Sequence, residues 1–296
     1  MTGFICLDKP GGITSFTAVN RVRRIFSQKK AGHTGTLDPM ATGVLPIMLG
    51  CATRFADFIP PSNKKYEAEI LLGVTTDSYD VTGKILSEKD VNISKADFCR
   101  AVEKFTGELD QTPPMYSAVS QNGVRLYKLA RQGIEVERPS RKITVYSSQV
   151  LERKDENLYT VSFECSAGTY IRSLISDIGA ELGCGACMNT LRRTSSNGFD
   201  IADAVTLQEL ETAAEQGRLG DYVKKVDDVL SSYPSVAVTQ AQAVRFSNGG
   251  ELSLDRIRNF SGEGLTRVYA QGGRFLGLGN ADKEKGELSI ARIYTD

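Results

Sequence analysis

The run Gly32-His33-Thr34-Gly35-Thr36-Leu37-Asp38-Pro39-Met40-Ala41-Thr42-Gly43 constrains this chain more than any other stretch. It holds three glycines, the only histidine of the chain, and one acidic residue set immediately before a proline. Such a run reads as neither an ordinary helix nor an ordinary strand. Glycine permits left-handed or close-approach backbone, and Pro39 biases Asp38 away from the helical region. One carboxylate is thus presented on a stiff loop. The apolar residues that follow, Val44, Leu45, Ile47, Met48 and Leu49, can anchor that loop in a core. An active-site carboxylate would be mounted this way, and so would an aspartate that merely caps a turn.

With 296 residues, 41% hydrophobic and 24% charged, the chain has room for two domains and apolar content for a globular core. No apolar run reaches the roughly 20 residues that span a bilayer, and Met1 to Asp8 lacks the basic start and apolar segment of a signal peptide. The expectation is a cytoplasmic protein. Six scattered cysteines suit reduced thiols rather than a disulfide frame. Cys184 and Cys187 form a lone Cys-x-x-Cys, which as a zinc site needs two further ligands. It reads instead as small residues in a tight turn after a helix, and no metal is expected.

Formal net charge is zero, which gives no global nucleic-acid signal, but the charges are unevenly spread. Up to Ala31, Lys9, Arg21, Arg23, Arg24, Lys29 and Lys30 stand against Asp8 alone. Between Gln121 and Tyr146, Arg125, Lys128, Arg131, Arg138, Arg141 and Lys142 oppose Glu135 and Glu137. Between Ile201 and Tyr233 the sign reverses. A basic face and an acidic back are hidden in the total.

Periodicity supplies the scaffold. Phe4 to Leu7 reads as a strand, and Thr14 or Ser15 can cap a helix whose Val19, Val22 and Ile25 or Phe26 share a face opposite Arg21 and Arg24. Tyr66, Ala68, Ile70 and Leu72 alternate as on a half-buried strand. Ser94 with Asp97 opens a helix through about Phe105, and Asn122-Gly123 signals a hairpin followed by a short basic helix from Leu126 to Arg131. Ile143 to Leu151 and Leu158 to Cys165 read as strands, Tyr170 to Leu182 as a helix stopped by Gly183, and Thr206 with Glu209 as another capped helix. From Pro234 onward short β-like pieces alternate with glycine clusters. The expected architecture is α+β, with a mixed, mostly antiparallel central sheet flanked by helices over 1–233 and a small β-rich domain over 234–296.

The chemistry of Asp38 is open on the residues alone. A phosphate-binding P-loop requires a lysine within the loop, which is lacking. A glycosidase requires a second carboxylate, for which Asp77 and Asp80 are candidates. A single nucleophilic or basic aspartate is the third reading.

Five motifs, in order, then bear on the choice. Gly32-His33-Thr34-Gly35-Thr36-Leu37-Asp38-Pro39, Lys64-Lys65-Tyr66, Pro114-Met115-Tyr116-Ser117-Ala118, Gly168-Thr169-Tyr170-Ile171-Arg172 and Leu191-Arg192-Arg193 closely resemble the signature of the bacterial tRNA pseudouridine synthases of the TruB family. The resemblance runs from Phe4 to about Tyr233, with Met40 where leucine is expected. The C-terminal part resembles, more faintly, the small PUA RNA-binding domain. The resemblance implies the pseudouridine synthase fold and an isomerase that converts uridine 55 in the T arm of tRNA to pseudouridine without a cofactor. Asp38 matches the catalytic aspartate.

The other matched positions have physical sense. Arg172 can pair with Asp38 and orient it through its forked guanidinium. Tyr66 offers an aromatic face for the uracil and a hydroxyl near the C5 proton; such stacking is worth ~1–3 kcal/mol. Extruding a base costs a few kcal/mol, and His33 can fill the vacated stack or hold the flipped nucleotide. The resemblance places Tyr170 and Leu191 against the substrate and Asp80 in the pocket. Arg21, Arg24, Arg125, Lys128 and Arg141 are then candidate phosphate contacts that position RNA without reading its bases. A monomer acting on the T-arm stem-loop is expected. An RNA-folding protein and a sugar-processing glycosidase are the rival readings, and replacing Asp38 separates them.

Overall fold

Phe4-Ile5-Cys6-Leu7 lies, in a computed structural model that describes residues 1–121, 123–258 and 260–295, inside an almost wholly buried strand, β1 (Gly3–Lys9). Helix α1 (Ser15–Ile25) follows, with Thr14 as its N-cap accepting from the Thr17 amide, and buries Ala18, Val19 and Val22. Strands β2 (Ala31–His33) and β3 (Thr42–Leu49) then frame the glycine-rich loop. The ends of that run are therefore strand, contrary to its reading as irregular throughout: Gly32 and His33 pair with Met48 and Ile47. Gly32 has no positive φ and can sit in a ladder, whereas Gly43 (φ +98°) cannot be replaced without strain.

After a 3-10 segment, Gly50–Phe58, come β4 (Lys64–Leu72), the small ribbon of β5 (Val74–Thr76) and β6 (Ile85–Glu88), helix α2 (Lys95–Lys104) and β7 (Gly107–Gln111). Strands β8 (Ser120–Gln121) and β9 (Val124–Arg125) pair as the expected hairpin, although Asn122 of its turn lies outside the described residues. Helix α3 (Leu126–Ala130), the long strand β10 (Arg141–Asp155), β11 (Leu158–Cys165) and helix α4 (Ile171–Glu181) complete the middle of the chain. Strand β12 (Ala186–Ser196) is not foreseen by its alternation, because Asn189, Thr190, Arg192 and Arg193 interrupt the apolar pattern. Gly185 makes the expected turn at φ +80°, but Cys187 already belongs to the strand, and both it and Cys184 are buried. Strand β13 (Phe199–Asp200), helix α5 (Leu207–Glu215) with a full Thr206/Glu209 capping box, and helix α6 (Val226–Val229) follow.

The main sheet runs β1-β3-β12-β4-β11-β10-β7, with β2 on β3 and β13 on β12. All its pairings are antiparallel except β3 with β12. It is thus mixed and mostly antiparallel, as expected. Helices α1, α2, α4 and α5 contribute Val22, Phe98, Ile175 and Leu210 to one continuous core against it.

A second sheet, in the order β14-β16-β17-β18-β15, is built from β14 (Ser235–Val238), β15 (Leu252–Ser253), β16 (Gly264–Ala270), β17 (Phe275–Asp282) and β18 (Glu287–Ile293). The sequence reading lacks helix α7 (Gln240–Ser247), which a Thr239/Gln242 capping box starts between β14 and β15. This unit keeps its own core around Phe246, Val268 and Leu288. It also shares an apolar cluster with the main sheet, in which Phe55 meets Phe275 and Tyr294. Among the described residues, no helix is long and apolar enough to cross a membrane.

At the β3–β12 junction Gly43 lies beside Arg193, and a Cβ there would fall 2.2 Å from the Arg193 carbonyl oxygen. Gly43→Ala is therefore expected to destabilise the fold by about 3 kcal/mol or more, since a forbidden φ and a backbone clash coincide. The shift in urea midpoint at constant slope measures it, and an unchanged midpoint would show that the junction yields.

Candidate active site

The loop joining β2 to β3 carries Asp38 and is tied down on both flanks. Ser15, in the first turn of α1, donates to the Leu37 carbonyl at 3.0 Å and accepts from the Leu37 amide at 2.9 Å. The Gly12 amide donates to Pro39 O at 2.8 Å. Asp38 itself remains one-third exposed, into a cavity of about 830 Å³. That volume is within the usual range for a small-ligand site.

Arg172, in the first turn of α4, meets this carboxylate along one edge of its guanidinium. Nη2 donates to Oδ1 at 3.0 Å, and Nε lies 2.9 Å from Oδ2. Nη1 donates to Ser78 O at 3.0 Å, and Nη2 also donates to Tyr116 O at 2.8 Å. Arg172 is buried, and the Asp80 carboxylate 3.5 Å from Nη1 supplies a second counter-charge. Burial pushes the Asp38 carboxyl above the ordinary carboxylate range, and the adjoining Arg172 charge pulls it back.

Asp80 is in the site but is not free within it. Its Oδ1 accepts from Ser78 Oγ at 2.8 Å, Thr82 N at 3.0 Å and Thr82 Oγ1 at 2.5 Å. With Oδ2 facing Arg172, the whole group is committed to holding the guanidinium. Asp77 likewise accepts from the Lys84 amide and the Tyr116 hydroxyl.

Tyr66, Leu191 and His33 all line the cavity. Register explains two of them: Tyr66 lies opposite Arg193, and Leu191 opposite Ala68, on the same face of paired strands. Burial holds the Tyr66 phenol above its usual pKa, against the charge of Arg193, so it is protonated at neutral pH. His33 is at the end of β2 rather than in the open loop, with its Nδ1 buried and unpartnered. Burial first, then Arg193, lowers its pKa, so the ring is neutral at pH 7. Tyr170 caps α4 without a side-chain cap, exchanging backbone bonds with the Gln111 amide at 2.8 and 2.9 Å. Its ring lies 4.7 Å from the Arg141 guanidinium, which also donates to Gly168 O.

Of the five candidate phosphate contacts, only Arg141 lines the cavity. Arg21 and Arg24 are exposed on α1, away from its cavity-lining first turn. Arg125 donates to Ala118 O, and Lys128 is exposed on α3; their neighbours Tyr127 and Arg131 are the residues that reach the cavity.

Two buried cations escape notice in the sequence as parts of the site. Arg193 is wholly buried and donates to Val44 O at 2.7 Å, Gly35 O at 3.1 Å and Thr36 O at 3.5 Å. One guanidinium thus clamps both ends of the Asp38 loop. Lys9, also wholly buried, donates to Pro10 O and Ile13 O at 2.8 Å and to Pro39 O at 3.2 Å. Burial pushes its pKa down to about 8, against the pull of Asp38, and three carbonyl acceptors match the three N–H bonds of an ammonium. Arg193 falls within the Leu191-Arg192-Arg193 motif, but nothing in the sequence gives it or Lys9 this role, because charged side chains this deep are rare.

The comparisons with known proteins bear on the fold and the family. The fold is that of the pseudouridine synthases: over 99% of its length this chain is similar to 85% of a chain in a Cbf5–Nop10–Gar1 complex, with a TM-score of 0.74 and 27% identity. The same coverage, with a TM-score of 0.73 and 25% identity, holds for a structure of an H/ACA ribonucleoprotein bound to a substrate RNA containing 2′-deoxyuridine. Residues 23–171 match the N-terminal domain of the TruB family pseudouridylate synthases, 172–231 the tRNA pseudouridylate synthase B C-terminal domain, and 234–292 the C-terminal domain of pseudouridine synthase II TruB. The chain belongs to the TruB family, and its enzyme class is that of isomerases. Relatives called tRNA pseudouridine synthase B include one from Clostridium kluyveri, 44% identical over 94% of this chain and 95% of the relative. Another, from Dechloromonas aromatica, is 46% identical over 94% and 90%.

Arg193→Met leaves three carbonyl oxygens without their donor, so it is expected to cost on the order of 2–4 kcal/mol of stability. It should also lower kcat by freeing the Asp38 loop. Arg193→Lys keeps a charge but cannot span both ends of the loop, so it should recover stability more than turnover. Chemical denaturation and single-turnover kinetics on the pair measure this, and full turnover in Arg193→Met would remove the clamp from the account.

Proposed function

We propose that this chain converts uridine 55 in the T arm of tRNA to pseudouridine, with Asp38 as the group that acts on the nucleoside. The observation that carries the reading is one partly exposed carboxylate, held edge-on by a buried arginine, at a cavity also lined by Tyr66 and Leu191. The naming of the relatives as tRNA pseudouridine synthase B supports the choice of tRNA. Uridine and pseudouridine are isomers, so the reaction balances without a co-substrate. The N1–C1′ bond breaks, the uracil turns, C5 bonds to C1′, and the C5 proton leaves while N1 gains one.

In this reading the nucleotide is flipped out of the T loop, at a cost of a few kcal/mol. Neutral His33 fills the vacated stack or holds the extruded nucleotide. Tyr66 offers its ring to the uracil, Leu191 packs on the base plane, and Tyr170 with Arg141 over it lines the same cavity. Arg172 is the partner that keeps Asp38 ionised and aimed, and Asp80 holds Arg172 in place. Arg21, Arg24, Arg125 and Lys128 serve RNA phosphates farther from the base. Residues 1–233 form the catalytic domain and 234–296 a PUA-like RNA-binding domain. The working unit in this proposal is a monomer acting in the cytoplasm.

Asp38→Ala is expected to abolish pseudouridine formation in a T-arm stem-loop while RNA binding persists; nucleoside mass mapping reads the first and filter binding the second. Retained product would overturn the role of Asp38. Tyr66→Phe should bind RNA nearly as well but stall release of tritium from C5, and full release would take the hydroxyl out of the chemistry.

The pH dependence follows from the charges around Asp38. Its pKa is raised by burial and held back by Arg172, so activity should fall as pH drops through a value above the free carboxylate's ~3.9. In Arg172→Gln the restraining charge is gone, so the acid limb should move to higher pH and kcat should fall at every pH. A buried pair broken in this way costs about 3–5 kcal/mol, less here because Asp38 is partly open to water. An acid limb that stays in place would show that Arg172 does not tune Asp38.

A further inference from the structure

A second, shallower cleft of about 450 Å³ opens where the end of α1, the start of β2 and the 3-10 segment Gly50–Phe58 meet. Lys29, Lys30 and Arg54 line it, and all three are exposed. Lys29 and Lys30 have no side-chain hydrogen bond or ion pair among the described residues, while Arg54 donates to Thr295 Oγ1 at 3.3 Å.

Lysines just past a helix ordinarily serve its last carbonyls. Here the carbonyls of Val22, Arg23 and Arg24 are already occupied. Phe26 N donates to Val22 O at 3.0 Å, Ser27 N to Arg24 O at 3.0 Å and Gln28 N to Arg23 O at 2.9 Å. Gln28 Nε2 covers Phe26 O at 3.3 Å. The Gly50 amide donates to Lys30 O at 3.0 Å and fixes the backbone between the two lysines and Arg54. Among the described residues, three cations therefore share one concave surface, the two lysines bond no helix carbonyl and no carboxylate is bonded to any of the three, an arrangement that an anion would relieve.

The position of the cleft indicates which anion. Strand β2 spans the distance from Lys30 to His33, roughly 10 Å at about 3.3 Å per residue, and His33 stands at the Asp38 cavity. On the other side, Arg54 bonds Thr295, and Phe55 packs on Phe275 of the second sheet and on Tyr294, which follows its last strand. The cleft thus lies between the cavity and the C-terminal unit. We propose that Lys29, Lys30 and Arg54 form a backbone-phosphate site for the RNA whose uridine occupies the Asp38 cavity. It guides the strand from the cavity toward the C-terminal unit, and positions RNA without reading its bases. This inference rests on the RNA-modifying function proposed above.

The test compares the wild type, the variant K29Q/K30Q/R54Q and the charge-matched control K95Q/R100Q/K104Q on α2, which lines neither cleft. Wild-type pseudouridine formation in a tRNA transcript is read first; its failure would sink the functional reading and this inference with it. Binding of the transcript is then titrated against salt. The cleft variant should lose two to three phosphate contacts, making the slope of log K against log salt shallower by roughly 0.7–0.9 for each. Its KM for tRNA should rise with kcat kept at saturating RNA, and the control should match the wild type. On the wild type alone, bound tRNA should slow acetylation of Lys29 and Lys30, read by mass spectrometry, which needs no variant to fold. Unprotected lysines, an unchanged slope, or an equal loss in the control would each overturn the proposal while leaving the function standing.

Discussion

The site depends on the burial of one guanidinium. Arg172 cannot sit inside the protein unless its charge is matched and its N–H groups are used. The fold meets that demand by bringing Asp38, Asp80, Ser78 O and Tyr116 O around it. These groups come from three loops far apart in sequence, all converging on the first turn of α4. The same contacts that satisfy the arginine also fix the orientation of the Asp38 carboxylate. Stability and preorganisation here are one constraint.

Two further buried cations extend this logic to the backbone. A loop such as 34–41 leaves carbonyl oxygens outside any ladder, and buried carbonyls need donors. Arg193 of β12 supplies them at Gly35 and Thr36, and Lys9, at the end of β1, supplies one at Pro39. Among the described residues, neither has a carboxylate bonded to it. Their charge instead tunes the neighbours: Arg193 restrains the rise in Tyr66 pKa and adds to the lowering at His33. The cavity therefore holds a protonated phenol and a neutral imidazole beside a carboxylate paired with arginine.

Much of this was legible in the residues because it is local. Turn chemistry and capping are short-range, so the caps at Thr14, Ser94 and Thr206, the strand Leu158–Cys165 and the β-rich texture after Pro234 could be read directly. Strand β12 and helix α7 could not. β12 is buried between two strands while carrying Arg192 and Arg193, so its polar residues mimic a surface segment. α7 is short and follows a strand at once, so its capping box is lost among β signals.

The sequence by itself determined the inventory of the site: a lone carboxylate before a proline, an aromatic on an alternating strand, an arginine opening a helix. Each is a matter of residue type and near neighbours. Only the tertiary structure decided how those groups divide their work. It committed Asp80 to Arg172, moved His33 from an open loop to a strand end, kept Arg21 and Arg24 out of the cavity, and made Arg193 and Lys9 the supports of the loop. The reason is that a buried charge is defined by what surrounds it in space. Those surroundings come from strands and loops separated by more than a hundred residues, as Arg193 and Gly35 are.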